Sequence, residues 1–161
     1  MIEVRRPTED EWAVVRAVRL AALADAPDAF GSTLAAEEDL PEAEWRRRTP
    51  SFVLAVAGGG AAEPAGLAAG WEDPAQPGAL ELVSMWVAPG WRRQGVGEAL
   101  VAAVVAEGHR RGASEVRLWV TATNDGARRL YQRCGFEPTG ATAPLPSNPT
   151  LVEERLALPL R

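Results

Sequence analysis

The chain has 161 residues, 47% hydrophobic and 24% charged, the length and balance of one globular domain (residues 1–161) with a core of its own. Seventeen Lys+Arg against 22 Asp+Glu leave a formal charge of -5, so no net positive field draws in nucleic acid or anionic lipid, and neither is expected as a partner. One cysteine and one histidine exclude an internal disulfide and a structural zinc site, and no metal is expected.

The N-terminal MIEVRRPTEDEW is charged where a secretory signal needs an apolar core, and no run reaches the ~18 apolar residues of a membrane span; a reducing, cytoplasmic setting is expected. Ile2 to Arg6 alternates as a short strand, and Pro7-Thr8 with Glu9, Asp10 and Glu11 opens a helix that runs to about Asp25. Val14, Val15, Val18, Ala21 and Ala22 recur at three- and four-residue spacing, a stripe that needs a sheet to cover. Phe30 to Leu40 reads as loop or irregular helix, and Pro41 starts a short helix that leads to Thr49-Pro50. Strands follow at Ser51 to Ala57, Ala65 to Trp71 and Ala79 to Val87, the first two divided by a turn at Gly58-Gly59-Gly60 and the last two by the Pro74 and Pro77 loop.

Past Pro89-Gly90, the segment from Val96 to about Arg111 puts Gly97, Leu100, Val101 and Val104 on one side and Glu98 on the other, an amphipathic helix. Glu115 to Val120 alternates as a strand, and Asn124 to Arg133 is a compact helix ended by Gly135. A loop rich in Pro, Thr and Ser comes after Phe136, and Thr150 to Leu158 supplies a closing strand.

The stretch Val87-Ala88-Pro89-Gly90-Trp91-Arg92-Arg93-Gln94-Gly95-Val96-Gly97 joins a strand end to a helix start through a basic loop. Gly95 and Gly97 free backbone N–H groups to point at phosphate oxygens, and the helix N-terminus adds partial positive charge. By itself such a loop reads equally as a turn whose glycines serve positive φ or close packing. Leu100 stands where a dinucleotide fingerprint needs a third small residue, and no Gly-Lys-Ser/Thr exists for a P-loop.

Arg92-Arg93-Gln94-Gly95-Val96-Gly97 matches the Gln/Arg-x-x-Gly-x-Gly/Ala signature, and here the sequence resembles the GCN5-related N-acetyltransferase (GNAT) superfamily. Leu80 to Pro89 is similar to that family's fourth strand, and Asn124-x-x-Ala127-x-x-Leu130-Tyr131-x-x-x-Gly135-Phe136 to its downstream coenzyme A segment. The resemblance implies an α/β fold: a mixed, mostly antiparallel sheet of six or seven strands flanked by about four helices. Strands 4 and 5 would splay apart, leaving a V-shaped gap between Leu80–Val87 and Glu115–Val120.

The same resemblance implies acetyl-CoA as cosubstrate. Backbone N–H groups of Gln94, Gly95, Val96, Gly97 and Glu98 would hold its pyrophosphate, with Arg92 and Arg93 near the phosphates. Main-chain contacts to pantetheine would come from Met85, Trp86 and Val87, and Asn124 would reach the coenzyme unless it serves only as a helix cap. The acceptor would be a primary amine of a small molecule or peptide, with a homodimer left open. Tyr131 would protonate the departing thiolate, and Glu81 would take the amine's proton directly, relay it through water, or anchor the acceptor. Strict alternation puts Glu81 on one face with Val83 and Met85, a parity that a bulge would change. The rival reading is a non-catalytic acyl-CoA sensor or interaction module, which keeps the loop and has no need of Tyr131 or Glu81.

Other residues attract milder readings. Cys134 reads as a small hydrophobe and His109 as a solvated helix-end residue, whereas Trp12, Trp45 and Trp71 could pack the core or wall an acceptor pocket. Acids from Glu37 to Glu44 read as a solvated face, with Arg46-Arg47-Arg48 beside them too short for a nucleic-acid platform. Arg19 to Thr33 resembles the helix-loop that borders the acceptor in the family, without naming what enters.

Overall fold

Alternating and β-branched segments gather into one seven-stranded sheet in a computed structural model that describes residues 1–58 and 63–161. The strands are β1 (Ile2–Arg5), β2 (Phe52–Ala57), β3 (Glu63–Trp71), β4 (Ala79–Val87), β5 (Glu115–Thr121), β6 (Glu137–Leu145) and β7 (Asn148–Pro159), in the order β1-β2-β3-β4-β5-β7-β6. Among the described residues only β4 and β5 pair in parallel; the other neighbours are antiparallel, as expected of a mixed, mostly antiparallel sheet. The helices are α1 (Trp12–Asp25), α2 (Leu34–Glu37), α3 (Glu42–Arg48), α4 (Val96–Arg110) and α5 (Asp125–Arg133). The turn expected at Gly58-Gly59-Gly60 falls largely outside the described residues. No helix among the described residues is long and apolar enough to cross a membrane.

Each face of the sheet has its own apolar cluster. On one side α4 lays Leu100, Val101 and Val104 against Leu80, Leu82, Val116, Leu118 and Leu156, and Tyr131 and Phe136 of the α5 region close that cluster. On the other, Val15, Val18, Ala22 and Leu23 of α1 cover Leu54, Val56, Leu67 and Ala69. Strand β2 is buried along both faces, which is why its sequence reads as a continuous apolar run.

Four expectations need correction. The buried stripe of α1 is Val15, Val18, Arg19, Ala22 and Leu23, with Val14 and Ala21 turned to solvent. Arg19 displaces them because its guanidinium meets Glu37 in a buried ion pair (Nη2 to Oε2 2.9 Å) and lies 4.9 Å over the Phe30 ring. Glu37 is therefore no solvated acid: it is buried between Arg19 and Arg48, and its charge pins α2 to α1. The Pro/Thr/Ser segment after Phe136 is strand rather than loop. As β6 it occupies the sheet edge, where Pro138 and Pro144 leave few ladder bonds unmade, and its pairing with β7 shifts register near both.

The fourth correction lies in β4. Trp86 stands opposite Leu67 and Val83 opposite Ala69, so β4 takes three steps where β3 takes two. The extra residue forms a bulge with Ser84 at φ +60°. Parity flips there: Met85 and Val87 join Leu80 and Leu82 on the α4 face, while Trp86 joins the α1 face. Glu81 therefore shares a face with Val83 and Trp86 and not with Met85.

Candidate active site

Strands β4 and β5 pair only where Ala79, Leu80 and Glu81 meet Glu115, Val116 and Arg117, and beyond them the strands part. Backbone groups on the open side of β4 thus lack a strand partner. The Ala88 N–H donates to the Ala65 carbonyl (2.8 Å), so by alternation the N–H and C=O of Val87 turn the other way, into the gap. The Val87 carbonyl accepts a bond from Arg92 Nε at 3.0 Å.

At the wide end of the gap the loop after β4 enters α4 through Gly95, the N-cap, at φ +82°. No side chain among the described residues caps this helix at Gly95, and a Cβ on Gly95 would meet nothing within 4 Å beyond its chain neighbours, so the start of α4 opens onto free space, with only the Glu98 N–H facing its own carboxylate. Arg93, at φ +62°, is a non-glycine residue held in the left-handed region and exposed. Gly97 has a different reason to be glycine: a Cβ there would come within 2.9 Å of Leu130 Cδ2, so it lets α5 approach α4. Gln94 donates to the Gly90 carbonyl (3.2 Å) and steadies the turn. Arg133 holds Glu98 at 2.8 Å and, ahead of the backbone bond at that helix start, draws its carboxyl below the usual range. An uncapped helix start, a glycine without neighbours and exposed guanidinium charge fit a bound pyrophosphate.

Arg92 has a second role that composition could not reveal. Its Nη2 and the indole Nε1 of Trp86 both donate to Asp25 Oδ2, at 2.8 and 3.0 Å. These bonds, that from Trp86 first, hold the Asp25 carboxyl below its ordinary value. The C-terminus of α1 is thereby tied to the loop that leads into α4.

Asn124 caps α5 by accepting the Ala127 N–H at 3.2 Å through its Oδ1, so the cap reading holds and the amide nitrogen is left over for other contacts. About two turns further on, Tyr131 is 6% exposed and packs edge-tilted on Phe136, ring centroids 5.9 Å apart. Burial, with a smaller contribution from Cys134, raises the phenol pKa well above its ordinary value, so the hydroxyl stays protonated throughout the neutral range. Cys134 is a half-buried free thiol whose pKa burial also raises, and His109 lies exposed at the end of α4; neither joins the site.

Glu81 stands at the closed end of the gap, 7% exposed. Its Oε1 accepts from Arg117 Nε (2.6 Å) and Arg155 Nη2 (2.5 Å), and its Oε2 from Arg155 Nη1 (3.2 Å). Both oxygens are therefore already engaged by guanidinium groups. Arg155 also lies 4.8 Å over the Trp119 ring. Register aligns Trp71, Glu81, Arg117 and Ala157 in one row on the α1 face, and Trp119 and Arg155 in the next pairing along that face. Trp71 (50% exposed), Val83 (37%) and Trp119 (37%) leave the floor of this open face apolar. Of the three tryptophans left open by periodicity, Trp45 is fully buried, Trp12 stacks under Arg46, and only Trp71 reaches this surface. Arg117 and Arg155 drew no notice in the sequence, where each reads as a polar residue in its strand's alternation, and Asp25 reads there only as a helix end within the Arg19 to Thr33 stretch.

The model of the acetyltransferase (GNAT) family matches residues 19–136, more than half of the chain. An uncharacterised N-acetyltransferase of Methanocaldococcus jannaschii is 39% identical over 57 residues, 35% of this chain and 25% of that protein, so the match spans a quarter of the relative's length. Among solved structures, one from Salmonella typhimurium described as an acetyltransferase with its cofactor acetyl-CoA is similar with a TM-score of 0.79 at 18% identity, covering 100% of this chain and 95% of that one. A GCN5-related N-acetyltransferase from Kribbella flavida gives a TM-score of 0.77 at 24% identity over 99% and 98% of the two chains.

Proposed function

This chain belongs to the acetyltransferase (GNAT) family, and from that premise we propose that it is one acetyltransferase domain moving an acetyl group from acetyl-CoA to a primary amine of a small molecule or peptide by direct attack. One observation carries the reading: an uncapped helix start at Gly95 follows the end of a gap along which one strand's backbone is unpaired, and the buried Tyr131 belongs to the α4-face cluster on which Met85 and Val87 of that strand pack.

The N–H groups of Gln94, Gly95, Val96, Gly97 and Glu98 would hold the pyrophosphate, with Arg93 adding charge. The backbone of Met85, Trp86 and Val87 beyond the bulge would orient pantetheine, and the Asn124 amide nitrogen is free to join it. Acetyl-CoA supplies a thioester carbon that accepts the amine and a sulfur that leaves. A hydrogen-bond donor is needed beside that sulfur, and the Tyr131 hydroxyl supplies it. Its raised pKa makes it a persistent donor: the proton is shared with the developing thiolate, whose own basicity rises in the same dry setting. We assign Glu81 to holding Arg117 and Arg155 on the acceptor face, because both of its oxygens already accept from guanidinium groups.

Two measurements test the proposal. Calorimetry should detect acetyl-CoA binding, and a panel of primary amines, aminoglycosides, amino acids and peptides assayed for thiol release should yield an acceptor. Tight binding of CoA with no responsive amine would overturn catalysis in favour of an acyl-CoA sensor.

A further inference from the structure

With Glu81 clamped, the acceptor face needs another group to receive an ammonium, since an amine attacks only as the neutral base. Register supplies one. Glu153 on β7 lies opposite Thr121 at the open end of β5, four residues beyond the Arg117 position that pairs with Glu81. At ~3.3 Å per residue, that is about 13 Å from the closed end of the gap, a distance that on β4 reaches Met85, just past the Ser84 bulge. Pairing with Thr121 and alternation with Arg155 put Glu153 on the α1 face, whereas Tyr131 belongs to the cluster on the α4 face. Acid and base would thus approach the gap from opposite sides of the sheet, as attack on one side and departure on the other require.

We propose that Glu153 is the carboxylate that binds the acceptor's ammonium and takes its proton, a role that rests on the acetyltransferase reading above. One proton passes from R–NH3+ to a Glu153 oxygen and leaves neutral R–NH2 with a free electron pair; no oxidation or reduction is involved.

Three observations support it. Among the described residues no hydrogen bond or ion pair occupies the Glu153 carboxylate, in contrast with Glu81 and with Glu154, its neighbour on the other face, which Arg128 holds at 3.2 Å. Glu153 is half-buried, and the segment after α1 folds over its end of the sheet: Thr121 Oγ1 donates to the Asp28 carbonyl (2.6 Å) and Ser147 Oγ to the Phe30 carbonyl (2.5 Å). This segment is the one whose sequence resembles the family's acceptor border. Burial also lifts the Glu153 carboxyl above its ordinary value, against the opposing pull of Arg155, which brings a carboxylate nearer to the range useful for a base. The charged groups around it are Arg155 on its own strand, and Glu81 and Arg117, which act through Arg155. The exposed surfaces of Val83 and Trp119 beside this face suit an amine borne on an apolar body.

The test uses the full chain labelled with 13C at glutamate carboxyls, bound to CoA and titrated with n-butylamine at neutral pH. The Glu153 signal is identified by its loss in Glu153→Gln. It should shift and saturate with butylammonium in the wild type; a silent Glu153 signal overturns the proposal whether or not an acceptor is known. With an amine that the wild type acetylates, Glu153→Gln should lose ~10² to 10⁴ in kcat/KM and its acid-limb pKa, with unchanged acetyl-CoA affinity and partial rescue by Glu153→Asp. Full activity in Glu153→Gln would equally refute it. Failure of every amine to react, with a saturating Glu153 shift retained, would instead count against the acetyltransferase reading and leave the amine site standing.

Discussion

Gly95→Ala isolates what the loop before α4 does. At φ +82° a Cβ costs roughly 1–2 kcal/mol from backbone strain alone, because nothing in the protein lies within 4 Å of it to clash or to gain. For a chain of this size, that corresponds to a Tm lower by about 2–8 °C. If the helix start holds the pyrophosphate, the new methyl stands in the ligand's space and turns N–H donors aside. Losing one charge-assisted bond of about 1.5–3 kcal/mol weakens CoA binding by ~10- to 100-fold. Gly112→Ala is the matched control: φ +69°, again with nothing within 4 Å, but just past the far end of α4. It should lower Tm by a similar amount and leave CoA affinity alone. Calorimetry with CoA and thermal unfolding of both variants read the two effects separately. Equal CoA affinity in Gly95→Ala and Gly112→Ala would refute the phosphate assignment, whatever happens to Tm.

Tyr131→Phe should leave acetyl-CoA affinity and Tm close to wild type, since its hydroxyl has no hydrogen-bond partner among the described residues, and should cut turnover by ~10² to 10⁴ in a thiol-release assay; retained turnover removes the acid role. The chain contains no lysine, so its own amines contribute no background beyond the N-terminus. Arg19→Met strips the buried Glu37 charge of its hydrogen-bonded partner, leaving only Arg48 at 3.6 Å, and should cost about 3–5 kcal/mol in denaturant unfolding, whereas Arg19→Met with Glu37→Leu should recover most of it; an additive double loss would contradict the ion-pair account. The Glu11 carboxyl, bound first by Arg5 and then by the Thr8 backbone, is drawn down to about 2. A depressed value in the folded state stabilises above the unfolded pKa of about 4.3 and ceases to do so as pH falls through 2, so the advantage of wild type over Glu11→Gln in Tm should shrink across that window.

Much of the scaffold was legible because short-range pattern dictates it. The limits of β4 and the start of α4 follow from an apolar alternation, a Pro-Gly stop and a glycine at the helix entrance. What escaped depends on partners distant in sequence. Burial of Arg19 required Glu37 to lie beneath it, and no periodicity in α1 announces that. The bulge at Ser84 is invisible to alternation, since nothing in Leu-Val-Ser-Met-Trp marks the extra step, yet it decides which side chains join Glu81 on the acceptor face. Strand β6 was masked by its prolines, whose strand-breaking tendency an edge position tolerates. Glu81 drew attention through the family resemblance, but its two guanidinium partners come from β5 and β7, 36 and 74 residues away. Glu153 sits in an alternating strand like any solvated acid, and only its missing partner distinguishes it.

The parting of β4 from β5 also bears on how this protein behaves in a tube. From Leu82 to Val87 the strand offers a row of bare amides and carbonyls in the middle of a sheet, with Val83 and Trp71 exposed nearby. Such an edge is a template for another chain's strand, and ordinary proteins blunt it with charge, proline or a covering helix. Here Arg92 covers one carbonyl, at Val87. A cosubstrate lying along the edge would act as a surrogate strand, so preparations stripped of CoA should be prone to self-association on storage, and added CoA should keep them monodisperse in light scattering at concentrations where the stripped protein does not remain so.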